Sequence, residues 1–193
     1  LDIQLMLLRN LAMRIQFLLC VVTAATLGAC ANRAPMMGPY SQTSLPDAVK
    51  VPAGHSVVIE TVAAGDITYQ CRAKKDMDSQ FEWVFAGPSA SLKDRNGILI
   101  GKYYGPPATW ENMDGSKLTG TQVAVAPNGE GNIPSQLVKA NPAVGPGAMQ
   151  GVSYIQRVAT QGGVAPKGVC AKGNEGEKQV VSYKADYIFY RAM

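Results

Sequence analysis

The sequence predicts an all-β domain, an antiparallel sandwich or barrel of about eight or nine strands with long Gly/Pro loops. Three observations point there. Apolar residues recur with period two along most of the chain, turn-forming pairs punctuate those segments, and beyond residue 30 no stretch carries a long helical pattern. The clearest strand closes the chain, where Val181, Tyr183, Ala185, Tyr187 and Phe189 alternate with Ser182, Lys184 and Asp186. Side chains of a strand point to alternate faces, so this segment has one apolar and one polar face. Val57 and Ile59, then Ile67, Tyr69 and Cys71, then Phe81, Trp83 and Phe85 repeat the pattern, with Trp83, flanked by Phe81 and Phe85, expected in the core. Asn96-Gly97 and Asp114-Gly115 supply the positive φ that tight hairpins need, pairing residues 92–94 with 98–103 and 109–112 with 117–123. Only residues 135–140, after Ile133-Pro134, and a turn near 174–178 read as helical, and neither is long enough for a parallel crossover. Clusters of Gly and Pro at 105–107, 127–131, 142–147 and 162–168 mark the loops.

The first thirty residues are of another kind. Arg9 and Arg14 precede an apolar run over 15–27, the layout of a secretory signal. As a helix such a run spans only about 20 Å, short of the roughly 30 Å hydrocarbon core. Leu27-Gly28-Ala29-Cys30 follows and closely resembles the lipobox of bacterial lipoproteins. That resemblance implies removal of 1–29, with Met6 or Met13 as the start, and makes Cys30 the acylated first residue of the mature chain. It also implies a membrane partner through the anchor, in a bacterial cell envelope. Ala31 after the cysteine points to the outer membrane. Residues 30–50, rich in Pro, Met, Ser and small residues, read as a flexible tether, and 51–193 as a single β domain.

With Cys20 in the signal and Cys30 acylated, Cys71 and Cys170 remain, either as a disulfide in an oxidising compartment or as two buried thiols. A formal charge of +4 without a basic run gives no case for nucleic acid. The single histidine, His55, sits at a strand entrance, with no Gly-x-Ser-x-Gly context for a nucleophile. No metal set can be assembled. Asp94-Arg95-Asn96-Gly97 resembles the opening of a calcium loop, but the later ligands are missing and a hairpin turn explains the same residues. Gly162-Gly163 lacks the rest of a dinucleotide fingerprint, so no cofactor is expected.

Two function classes remain. One is a non-catalytic binding or structural domain whose partner is an envelope polymer, a small molecule or another protein, including recognition through an exposed sheet edge. The other is a hydrolase or carbohydrate-active domain using Tyr103, Tyr104, Trp110, Glu111, Asp114 and Arg157 around one cleft. Convergence of those six in a concave pocket favours the second class, and dispersal favours the first. Gln156 and Arg157 are polar residues inside a strand-like segment, available either to backbone groups or to a ligand.

Taken together, Val51-Pro52-Ala53-Gly54, Tyr69-Gln70-Cys71, Trp83-Val84-Phe85, the stretch from Gly101 to Trp110, Asp114-Gly115-Ser116, Tyr154-Ile155-Gln156-Arg157, Thr160-Gln161-Gly162-Gly163 with Cys170, and the terminal 187–190 are similar to the domain of unknown function 3455. The resemblance runs from Val51 to Arg191. It implies an exported protein with no established activity and a recurrent Cys71–Cys170 pair. A malate dehydrogenase label carried by some fungal members finds no dinucleotide motif to support it in this chain. Where the family has a histidine before its Gly-Pro-x-Trp segment, this sequence has Tyr103 and an expanded Gly105-Pro106-Pro107-Ala108-Thr109-Trp110.

Overall fold

Every period-two segment becomes a strand, and several run longer than their turn signals suggested. The computed structural model describes residues 40–193; the signal, Cys30 and the first part of the tether lie outside the described residues. The strands are β1 (His55–Lys74), β2 (Met77–Lys93), β3 (Leu99–Tyr104), β4 (Thr109–Asn112), β5 (Lys117–Ala126), β6 (Ser135–Ala140), β7 (Val152–Gly162) and β8 (Lys178–Ala192). Each pairs antiparallel with the next and β8 returns to β1, closing an up-and-down barrel. Both predicted hairpins form, with Leu92 opposite Gly101 and Trp110 opposite Leu118. Closure still leaves an edge open among the described residues: β2 pairs with β3 only from Ser89 onward, so its residues 77–88 pair with β1 alone.

The barrel interior is filled by Ala63, Leu92, Tyr103, Trp110, Leu118, Val138, Ile155, Tyr187 and Phe189. Space is tight where β5 meets β6: a Cβ at Gly120 would strike the Val138 side chain and the Lys139 backbone. Strands β1 and β2 outrun the barrel, which corrects the expectation that Trp83 is a core residue: it packs against the core only in part. Phe85 is 47% exposed, and Trp83 is half-buried with its indole N–H donating to the Gly168 carbonyl, 2.8 Å away. The loop that provides this carbonyl is pinned to β1 by a Cys71–Cys170 disulfide with a sequence separation of 99. A bridge across so long a loop stabilises by up to about 4.7 kcal/mol in the chain-entropy view.

Two further expectations are corrected. Residues 135–140, read as helical, form β6, pairing Leu137 with Ala124 and with Gln156. The misleading signal has a cause: Val138 packs inside the barrel while Leu137 packs outside against Val49 and Val51, so both faces are buried and the alternation disappears. The covering chain is the second correction. From Tyr40 onward the expected tether is a strap folded onto the outer barrel wall, with a short 3-10 turn at Asp47–Val49 and Val49 fully buried. Near the predicted turn at 174–178, a second 3-10 turn occupies Lys172–Asn174.

Gln156 holds the strap. Its carbonyl oxygen accepts hydrogen bonds from Tyr40 Oη (3.1 Å) and Tyr190 Oη (2.7 Å), and its amide nitrogen donates to Gln42 Oε1 (2.9 Å) and the Val49 carbonyl (2.6 Å). Two donors and two acceptor sites are the full capacity of an amide side chain. Beside it, Arg95 bridges Glu60 (2.9 Å) and Asp186 (2.7 Å). Burial works to lower the Arg95 pKa, but hydrogen bonds to the two carboxylates outweigh it and the net shift is upward.

Candidate functional site

The two ends of the barrel are built differently. At one end the turns around 94–98 and 113–116 and the loop 141–151 close over buried Met149 and Val152. Asp114 ties that end together: Oδ1 accepts from Ser116 N (2.9 Å) and Ser116 Oγ (2.6 Å), and Oδ2 from Ala148 N (2.7 Å). The Ser116 hydroxyl first, then the backbone N–H groups of Ala148 and Ser116, hold its carboxyl below the usual range. Its neighbour Asp94 caps the other turn, accepting from Asn96 N (2.9 Å) and Ile98 N (2.8 Å), which is the hairpin explanation of the calcium-like tetrad.

At the opposite end, the loops 105–108 and 127–134 border an open cavity of about 350 Å³. Its walls differ in character according to the strands that supply them. From β1 to β4 come Ile67, Tyr69, Phe85, Tyr103 and Trp110; from β5 to β7 come Gln122, Gln136, Val138 and Arg157. One wall is therefore mainly aromatic and the facing wall is mainly polar and cationic. Tyr103 and Trp110 stack with ring centroids 4.7 Å apart, and Tyr187 leans on Tyr103 at 4.9 Å from beneath the cavity wall. Burial pushes the Tyr103, Tyr183 and Tyr187 phenols well up from their ordinary pKa, with the Arg157 charge opposing the shift. These phenols stay neutral at any physiological pH. Trp110 is 1% exposed and its Nε1–H meets no acceptor among the described residues. That atom is sealed within the wall, at a cost of about 1–3 kcal/mol for an unmade buried bond.

Arg157 projects from β7 into this space, half-buried. Its Nε and Nη2 donate to the Pro134 carbonyl at 3.3 and 3.0 Å. No other hydrogen bond and no ion pair engages its guanidinium among the described residues. On the same wall Gln136 Nε2 donates to Gln122 Oε1 at 2.6 Å. Tyr69 Oη donates to the Gly163 carbonyl at 2.7 Å, fixing the phenol against the rim.

Of the six residues placed around one cleft by sequence, the structure gathers three. Tyr103, Trp110 and Arg157 line the cavity. Tyr104 and Glu111 face outward on the same hairpin, where Tyr104 Oη donates to Glu111 Oε2 at 2.6 Å and Lys102 lies 3.2 Å from Glu111 Oε1. The Tyr104 hydroxyl, then Lys102, keep the Glu111 carboxyl below its usual range. Asp114 is at the closed end. The barrel wall thus separates these carboxylates from the aromatic residues, and among the described residues no carboxylate lines the cavity. Strand parity was the signal that separates them: Tyr103 and Tyr104 are adjacent, as are Trp110 and Glu111, so each pair points to opposite faces. The same parity applied to β1, β5 and β6 finds Tyr69, Gln122 and Gln136, to which the sequence reading gave no site role; Phe85 joins them only because a register shift between Thr68 and Tyr69 reverses the parity of β2. His55 opens β1, its Nδ1 3.0 Å from the Pro52 carbonyl oxygen and its ring edge-on to Tyr154.

A sequence profile of the family described as "Protein of unknown function (DUF3455)" matches residues 52–191. No curated protein and no solved structure matches the chain.

Proposed function

Because the chain belongs to the DUF3455 family of proteins of unknown function, we propose from its own geometry that the domain is a binding module, taking a small molecule in the open end of its barrel without transforming it. The supporting observation is the cavity itself. At about 350 Å³ it falls at the small end of ligand pockets, and its largely apolar walls carry a few polar groups, as such pockets do. The carboxylates that a hydrolase would need lie outside it, engaged in a turn and a surface hairpin. N-phenylnaphthylamine, a neutral apolar fluorophore, tests this in the purified full chain. Saturable one-to-one binding is expected, abolished by Gln122→Trp, which places a ring across the exposed rim. Absence of binding, or binding indifferent to Gln122→Trp, overturns the reading.

The module works, on the same proposal, in a bacterial cell envelope, held to the membrane by acyl groups on Cys30. What supports this is the lipobox-like Leu27-Gly28-Ala29-Cys30 after an apolar run, together with a disulfide of the sort that persists in oxidising compartments. Two or more acyl chains hold a protein stably where one does not. Cys30→Ser is expected to move the protein from the membrane to the soluble fraction with its thermal midpoint unchanged. Retention in the membrane contradicts the anchor.

A further inference from the structure

We infer that the ligand is a small planar organic anion, an aromatic carboxylate of one or two rings, held with its ring along the aromatic wall at Phe85 and its carboxylate on Arg157. This rests on the binding reading above and sharpens it.

The guanidinium decides the charge. It has five N–H donors, and the Pro134 carbonyl engages one on Nε and one on Nη2. Three remain, both on Nη1 and the second on Nη2. These share the fork between the two terminal nitrogens, the geometry that matches the two oxygens of a carboxylate. No carboxylate of the chain lies within ion-pair distance among the described residues. The phenols that feel the Arg157 charge do not supply an anion either, because burial keeps them protonated. A positive charge in a cup with aromatic walls and no internal counterion is complementary to an anion brought from outside.

The facing wall decides the rest of the molecule. Tyr103 and Trp110 stack on each other at 21° and are 5% and 1% exposed, so the accessible ring of that wall is Phe85, 47% exposed. Offset stacking on it favours a planar ring over a bulky aliphatic chain. Gln122 and Gln136 use one donor and one acceptor on each other, leaving amide groups free to read a substituent on the ring. A cavity of about 350 Å³ has room for one or two rings and excludes a long polymer segment.

Naphthoate and its uncharged isostere naphthamide separate the outcomes when titrated against the full chain and an Arg157→Gln variant. Naphthoate is expected to bind about ten-fold or more tightly than naphthamide, the range of a charge-assisted pair, and the preference is expected to vanish in Arg157→Gln. An unchanged thermal midpoint of the variant shows that its barrel is intact. Equal affinity for acid and amide, failure of both to bind while the fluorophore binds, or a preference that survives Arg157→Gln each overturn the anion assignment and leave the binding module standing. Failure of all three probes to bind overturns both.

Discussion

Gln156 and Arg157 are adjacent on one strand and have opposite fates. Gln156 faces outward, yet it is 0% exposed because the strap from Tyr40 to Val51 lies over it, and all four of its hydrogen-bonding positions are used. Arg157 faces into the barrel, yet among the described residues three of its donors meet no acceptor beside an open cavity. Burial and position in the barrel are poor guides to role in this pair. The completeness of the hydrogen-bond inventory is the better one: a saturated group holds structure together, and an unsaturated charged group in a concave site is available to a ligand.

The comparison can be broken in order of effect. The largest loss of stability is expected at Cys71→Ser, which frees the loop 163–177 from β1. A loss of up to about 4.7 kcal/mol is the chain-entropy limit for the bridge, read as the denaturant midpoint of the oxidised proteins; equal midpoints would show that the loop docks without its covalent tie. Next comes Gln156→Leu. It strands two phenols and the Val49 carbonyl beneath the strap, and a loss of about 3 kcal/mol or more is expected from several orphaned partners. Protease cleavage between Tyr40 and Val51 should appear in that variant alone.

Alkaline pH comes third. The Tyr103, Tyr183 and Tyr187 pKa values are raised by burial, so the folded state holds their protons more tightly than the unfolded chain does. Their contribution is intact below about pH 10, the unfolded value, and is lost progressively as pH rises above it. Tyr40, under the strap, is pushed up to about 12 by burial and by the Asp186 and Glu60 carboxylates. Tyrosinate absorbance from these groups is expected to appear together with unfolding, and a titration completed near pH 10 in the folded protein would refute their burial. The smallest effect on stability is expected at Arg157→Gln, within about 0.5 kcal/mol as for a surface substitution, measured by the same denaturant midpoint. A loss as large as that of Gln156→Leu would make the two neighbours equivalent and remove the distinction.

How much of this was legible in the sequence depended on whether one face of each strand meets water. The hairpins at Asn96-Gly97 and Asp114-Gly115 were readable because turn chemistry is local. Strand β8 was readable over its first half, where polar residues alternate with Val181, Tyr183 and Ala185; beyond it Ile188 and Tyr190 are buried under the strap. Strand β6 was misread for the same reason that β8 loses its alternation. The strap looked like linker because its Pro and Ser residues hide a spaced apolar set, Tyr40, Leu45, Val49 and Val51, that packs only once the barrel exists. Half of the candidate site was found and half misplaced because aromatic and acidic residues were grouped by nearness in sequence, whereas in a strand the nearest neighbour is the one residue certain to face away.

The most direct test uses the two tryptophans of the chain. Trp110 lines the cavity, while the Trp83 indole N–H is occupied by the Gly168 carbonyl outside it. With nitrogen-labelled full chain, the two indole N–H resonances are followed as naphthoate is added, assigned by a Trp83→Phe variant. The expected result is a saturable shift of the Trp110 signal with little change at Trp83. A static Trp110 signal at saturating naphthoate, or movement confined to Trp83, would contradict an aromatic-walled anion site in the open end of the barrel.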